Sequence, residues 1–383
     1  MKLCINSIPL LGAPTGVGNY AWQMARAVAD DQEHFDPTYF YGYCSRNLPS
    51  TATEGMNTPL GKIKQRLARQ KGLRRMAKKV LTLADSFRNS LYSKIYDCYF
   101  EPNFILLPGI RSRRAVLTAH DFSCFLYPQW HPQERVRHME KHFRASLERA
   151  DNVITVSEAM RQEAIELFGL QPERVLTIHN GVDHGRFYPH TTADAVRLLT
   201  KRALPEHFIL FVGTVEPRKN LENLLLAHNL LPTRLKRRFP LVLVGAEGWN
   251  NTTILQQIEA MTPHVRLLGY VPLEELPALY TAATLFAYPS WYEGFGLPVV
   301  EAMACGCPVL TSDHAALVEV CGDAAVHTPP GDPEAMSHCL CELLENADLR
   351  TALRTRGLER AALFSWKTSA RQHRELFVKL CEK

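Results

Sequence analysis

The chain has 383 residues, of which 46% are hydrophobic and 22% charged, and it carries a formal net charge of +5 at pH 7. That length suits two cores rather than one, the composition excludes a disordered protein, and the mild basicity excludes a dedicated nucleic-acid binder. Its ten cysteines include no C-x-x-C pair, which argues against a zinc site and for reduced thiols in a cytoplasmic protein.

In chain order, Lys2–Ile8 reads as a strand; broken by Asn6 and Ser7 and followed by Pro9, this stretch is not a signal peptide. Val17–Ala29 has helical character and Pro37–Tyr43 is strand-like. Between Gly61 and Val80 stand nine basic residues and no acidic one, from Lys62 to Lys79, while Leu73, Met76, Val80, Leu83, Phe87 and Leu91 recur at spacings of three and four. A basic amphipathic helix of this kind can lie on an anionic membrane or pack as an exposed face of its own domain. Strand Ala115–Ala119, helix Pro132–Arg149, strand Val153–Val156, helix Glu158–Phe168 and strand Val175–Ile178 then alternate. A turn follows at Asn180-Gly181, where Gly181 is expected to need a positive φ. Residues 184–204 are less regular and read as the linker.

A second series starts with strand Phe208–Val212 and helix Leu221–Leu230. It continues through strands Leu241–Val244, Val265–Leu268, Leu285–Tyr288 and Val309–Thr311, and the chain ends in a helix over Ser365–Lys383. Aliphatic strands alternating with helices are parallel βαβ units. Two such series predict an α/β protein of two doubly wound domains, 1–190 and 200–365, facing a cleft with ligands at the carboxyl ends of the strands. No run reaches the ~18 apolar residues that cross a bilayer, so any membrane contact is peripheral.

The densest motif is Glu293-Gly294-Phe295-Gly296-Leu297-Pro298-Val299-Val300-Glu301, after the strand Leu285–Tyr288. Its glycines allow close backbone approach, the free amides of a helix start attract anionic oxygen, and two carboxylates can accept from vicinal hydroxyls. Together these describe a site for a nucleotide sugar, with Glu301 in the first turn of the helix. Arg218 and Lys219 follow Gly213 at another strand end, where two cations can neutralise a diphosphate, with Asn220 as the cap of the next helix. Gly16-Val17-Gly18 with Ala21 is a weak dinucleotide fingerprint, and the strand after it, ending Tyr41-Gly42-Tyr43, lacks the acid a nicotinamide site wants. This loop serves either the donor diphosphate or the acceptor side. His120 and Asp121 end the strand Ala115–Ala119, Asp121 either orienting His120 or capping the next turn. Ser157-Glu158 reads as a helix cap.

The Glu-x7-Glu stretch resembles family 4 of the retaining GT-B glycosyltransferases, also called group 1. The resemblance implies two Rossmann-like domains, with the last helix (366–383) packing back on the first. It implies that Glu301 binds the ribose, Glu293 holds the transferred sugar, Arg218 and Lys219 contact the diphosphate, and His120 lies under the sugar. It also implies retention at the anomeric carbon, no resident cofactor and no metal, in keeping with the absence of Asp-x-Asp. Among its members, bacterial O-antigen and exopolysaccharide mannosyl- and rhamnosyltransferases are the most similar; they use GDP-linked donors and polyprenyl-linked acceptors at the inner face of the membrane. Two other classes stay open at this point: a nucleotide-dependent oxidoreductase, and a non-catalytic protein that binds sugar nucleotides or membrane.

Overall fold

Short aliphatic and aromatic segments pair into two separate sheets in the computed structural model, which describes residues 1–12, 15–51 and 94–382. The basic segment Lys62–Lys79 lies outside the described residues. The first sheet contains β1 (Lys2–Asn6), β2 (Asp36–Phe40), β3 (Cys44–Ser45), β4 (Tyr96–Glu101), β5 (Ser112–Ala119), β6 (Asn152–Thr155) and β7 (Val175–Thr177). Its order is β3-β2-β1-β4-β5-β6-β7, with only the short edge strand β3 antiparallel. The second sheet contains β8 (Ile209–Val212), β9 (Leu241–Val244), β10 (Val265–Leu267), β11 (Leu285–Tyr288), β12 (Val309–Ser312) and β13 (Val326–Thr328). Its order is β10-β9-β8-β11-β12-β13, parallel throughout.

Every residue of β8, β9 and β11 is buried, as expected of strands covered by helices on both faces. In each sheet the winding reverses beside the first strand, between β1 and β4 and between β8 and β11. These are the switch points at whose carboxyl ends a doubly wound fold leaves a crevice.

Several expectations need correction. Residues 192–202 are not linker but a helix, Thr192–Arg202, capped by the Thr191 side chain on the Asp194 amide and packed on helix Leu276–Ala282. Strand β4 escapes a hydrophobicity reading because it ends in Glu101, which is wholly buried. That carboxyl accepts from the Asn6 amide, the Tyr99 hydroxyl and the Asn103 amide, so its polar atoms are satisfied in the core. Gly181 does not have a positive φ. It is needed for close approach, since a Cβ there would lie 2.0 Å from the Trp366 amide nitrogen.

That contact marks where the chain crosses twice between the sheets, Val182 pairing with Ser365. Beyond it the helix Trp366–Cys381 packs on the first sheet's side. Trp366, Ala370 and Phe377 are buried with Ile5, Tyr20, Met24 and Phe100, and His373 Nε2 lies 2.5 Å from the Tyr20 hydroxyl. Among the described residues no helix is long and apolar enough to cross a membrane.

Candidate active site

At the switch point of the second sheet the chain leaves β8 through Gly213 and makes a single 3-10 turn, Pro217–Lys219. Asn220 then adopts a left-handed backbone, φ 59°, before helix Leu221–Leu230. Its side chain does not cap that helix, contrary to expectation; it donates instead to the carbonyls of Pro289 and Pro330. This reversal turns Arg218 and Lys219 toward the end of β11, where both meet Glu293. The Lys219 ammonium lies 2.5 Å from Glu293 Oε1 and the Arg218 guanidinium 2.8 Å from Oε2. Arg218 also donates to Glu216 and to the Tyr292 carbonyl, each at 2.9 Å, and Lys219 to the Tyr288 hydroxyl.

The cluster is dry, Glu293 being 6% and Lys219 8% exposed. Burial opposes ionisation of Glu293, but the charges of Arg218 and Lys219 outweigh it and hold the carboxyl at about 2. Burial and the neighbouring Arg218 push Lys219 below its ordinary value, with Glu293 and Glu216 pulling the other way. Two cations against Glu293 and Glu216 thus make a balanced, desolvated array, in which removal of Glu293 would leave Lys219 without its carboxylate.

The loop Gly294-Phe295-Gly296 reaches the first domain. A Cβ on Gly294 would lie 1.7 Å from the His120 carbonyl oxygen, so only glycine allows this approach. On the same residue the carbonyl accepts from Ser157 Oγ at 2.7 Å. Ser157 caps its own helix as expected, accepting from the Met160 amide, and its hydroxyl proton crosses to the other domain. Phe295 does not present its ring to this site; the ring packs edge-on against Phe364, 5.4 Å between centroids, at the interdomain crossing. Gly296, φ 90°, starts the helix Leu297–Ala304, whose fifth residue is Glu301, just past the first turn. Glu301 accepts from the Tyr280 hydroxyl at 3.2 Å, and burial pushes its carboxyl up to about 7 against that hydrogen bond and the charge of Arg186. Leu297 faces the first domain, 3.3 Å from where a Cβ on Gly16 would stand.

On the first domain, Gly16 and Gly18 open helix Gly16–Ala29, with Thr15 accepting from the Gly18 amide. His120 ends β5 as expected. Its Nε2 donates to the Pro102 carbonyl at 2.8 Å, so Nδ1 carries the lone pair of the neutral ring, and burial holds its pKa below the ordinary value. Tyr20 and Phe104 meet the ring edge-on at 4.9 and 5.7 Å. Asp121 does not hold His120; it accepts from the Ser123 amide and hydroxyl and so caps the next turn. Burial works against ionisation of Asp121, but Arg218 across the cleft and the Ser123 bonds hold its pKa below the ordinary value.

The structure therefore brings Gly294 onto His120, Leu297 onto Gly16, and Arg218 and Lys219 onto Glu293, while Gly213, just past β8, would place a Cβ 3.7 Å from the Tyr288 ring. Glu216, Tyr288 and Tyr292 complete this array and were not anticipated. Glu216 alone left a signal, as the acid two residues before Arg218. Among the described residues no three His, Cys, Asp or Glu side chains converge as a metal donor set.

Comparison with known proteins follows the same division. Residues 14–186 match the sequence model of Glycosyltransferase Family 4, and residues 200–360 that of Glycosyl transferases group 1. The chain is 36% identical over 380 residues to O-antigen chain mannosyltransferase B of Escherichia coli, covering 97% of this chain and 98% of that one. Its fold is similar to sucrose-phosphate synthase from Thermosynechococcus elongatus, with TM-score 0.74, 24% identity and 99% of each chain covered. It is also similar to Anabaena HepE in complex with UDP-glucose, with TM-score 0.70, 20% identity, and 99% of this chain and 100% of that one covered. With both halves matched in chain order and a relative aligned along nearly its whole length, the chain belongs to the family 4, group 1 glycosyltransferases.

Proposed function

We propose that this glycosyltransferase moves a hexose of the mannose or rhamnose type from a GDP-linked donor to a saccharide or polyprenyl-linked acceptor, with retention, in bacterial cell-surface polysaccharide synthesis. The carrying observation is the buried Glu293–Arg218–Lys219 array, set at the switch point of the second sheet and closed over by the His120 strand end. The Escherichia coli relative, an O-antigen chain mannosyltransferase, supports the sugar and the pathway class.

In this reading the bond from the anomeric carbon to the diphosphate breaks as the acceptor hydroxyl oxygen bonds to that carbon on the same face. The hydroxyl proton passes to the departing diphosphate oxygen. Arg218 and Lys219 stabilise the negative charge that builds on the diphosphate, which makes a metal ion unnecessary. Glu293 and the His120 strand end position the sugar.

GDP should raise the melting temperature more than UDP, ADP or dTDP, because the ligand that fits binds only the native state. GDP-mannose should support transfer in the presence of EDTA. A larger shift with another nucleotide would overturn the donor base, and loss of activity to EDTA restored by Mg²⁺ or Mn²⁺ would overturn the charge compensation.

Glu301 is the proposed ribose ligand. Glu301→Ala should weaken nucleoside diphosphate binding by about 1.5–3 kcal/mol, the range for hydrogen bonds to a charged group. The carboxyl must ionise to accept from two hydroxyls, and burial pushes it up to about 7, so the difference between wild type and variant should widen as pH rises through 7. Equal calorimetric affinities for the two proteins would return Glu301 to a purely structural role.

A further inference from the structure

Tyr292 directly precedes Glu293 on the second domain's loop, yet it is 1% exposed and its hydroxyl sits among first-domain groups. The Phe122 amide donates to that hydroxyl at 3.1 Å, and the hydroxyl donates to Glu163 Oε2 at 2.5 Å. Phe122 follows His120 and Asp121 at the end of β5, and Glu163 lies on helix Glu158–Phe168. The ring is held between domains as well, 5.5 Å from Tyr127 on one side and 4.8 Å from His314 on the other. Burial keeps the Tyr292 hydroxyl protonated, so it remains a donor.

On the other side of Glu293, the Gly294 carbonyl accepts from Ser157 of the first domain. Glu293 is thus bracketed in sequence by three hydrogen bonds that cross the cleft, two at Tyr292 and one at Gly294. Each has its donor in one domain and its acceptor in the other, so none can form unless the two half-sites are in one register. Tyr288, another buried tyrosine of this site, serves Lys219 of its own domain instead.

We infer that Tyr292 is a positioning residue, whose hydroxyl sets the register of Glu293 against the His120 strand end and so aligns the two halves of the transfer site. This rests on the reading that Glu293 and His120 address the same sugar. A Phe at this position would fill the same space but leave the Phe122 amide and the half-buried Glu163 carboxyl without this partner.

Tyr292→Phe separates this role from simple packing. The expected result is faster hydrogen exchange at the Phe122 amide, kcat lowered by about tenfold or more, and a Kd for GDP within about twofold of wild type. Glu163→Gln, which keeps size and can still accept, should show a smaller fall in kcat in the same direction. Wild-type kcat in folded Tyr292→Phe overturns the inference, as does a loss of GDP affinity equal to the loss in kcat/KM. Should Tyr292→Phe fail to fold, wild-type kcat in Glu163→Gln overturns it. The exchange measurement needs no donor. Failure of wild type to use GDP-mannose therefore defeats the donor reading alone, whereas unchanged Phe122 exchange defeats the positioning role.

Discussion

Replacing Lys219 by Ala is expected to lower turnover by about a hundredfold or more, the usual cost of losing a preorganised charge partner of the transition state. The ammonium group is 2.5 Å from Glu293 in a site nearly closed to water, where a unit charge acts far more strongly than at the surface. Arg218 still pairs with Glu293 in the variant, so the carboxylate is not orphaned and the fold should persist with a modest loss of stability. Steady-state kinetics on protein checked for native circular dichroism is the measurement. Unchanged kcat and KM would remove Lys219 from the charge clamp.

A change with no charge at all should be nearly as damaging. Gly294→Ala places a methyl group 1.7 Å from the His120 carbonyl oxygen, backbone against backbone, so neither side can rotate away. The domains must then separate locally, and a misplacement of about 1 Å costs roughly a hundredfold in rate. Because Arg218, Lys219 and Glu301, the proposed ligands of the donor nucleotide, all lie in the second domain, binding of the nucleoside diphosphate should be largely retained. The expected signature is a collapse of kcat with a nearly unchanged nucleotide Kd. Near-normal kcat would mean that the close approach of Gly294 to His120 is not required for transfer.

Much of this organisation is local and was therefore legible in the order of residues. Short aliphatic runs alternating with amphipathic helices specify parallel βαβ units wherever they fold, and most strands of both sheets follow from them, though β3, β4 and β13 do not. The loop glycines and the Arg-Lys pair announce themselves because backbone freedom and charge at a strand end can be read from residue type alone. Polar residues in buried places break such rules. Glu101 hides strand β4 because its satisfaction comes from Asn6, 95 residues away, together with Tyr99 and the Asn103 amide. Residues 192–202 looked irregular, although Thr191 and Asp194 carry an ordinary capping signal.

Residue order alone specifies two doubly wound domains, the strand ends proposed to carry the chemistry, and the residue types standing there. Which of these groups meet depends on how the two domains pack. Arg218 and Lys219 find Glu293 across 75 and 74 residues, Ser157 finds Gly294 across 137, and Phe122 finds the Tyr292 hydroxyl across 170. Asn220 likewise became a tie between two distant carbonyls rather than a helix cap. The physical reason is one of range. Backbone propensity and periodicity act over a few residues, whereas hydrogen bonds and buried ion pairs are made with whatever group the packed domains bring within about 3 Å.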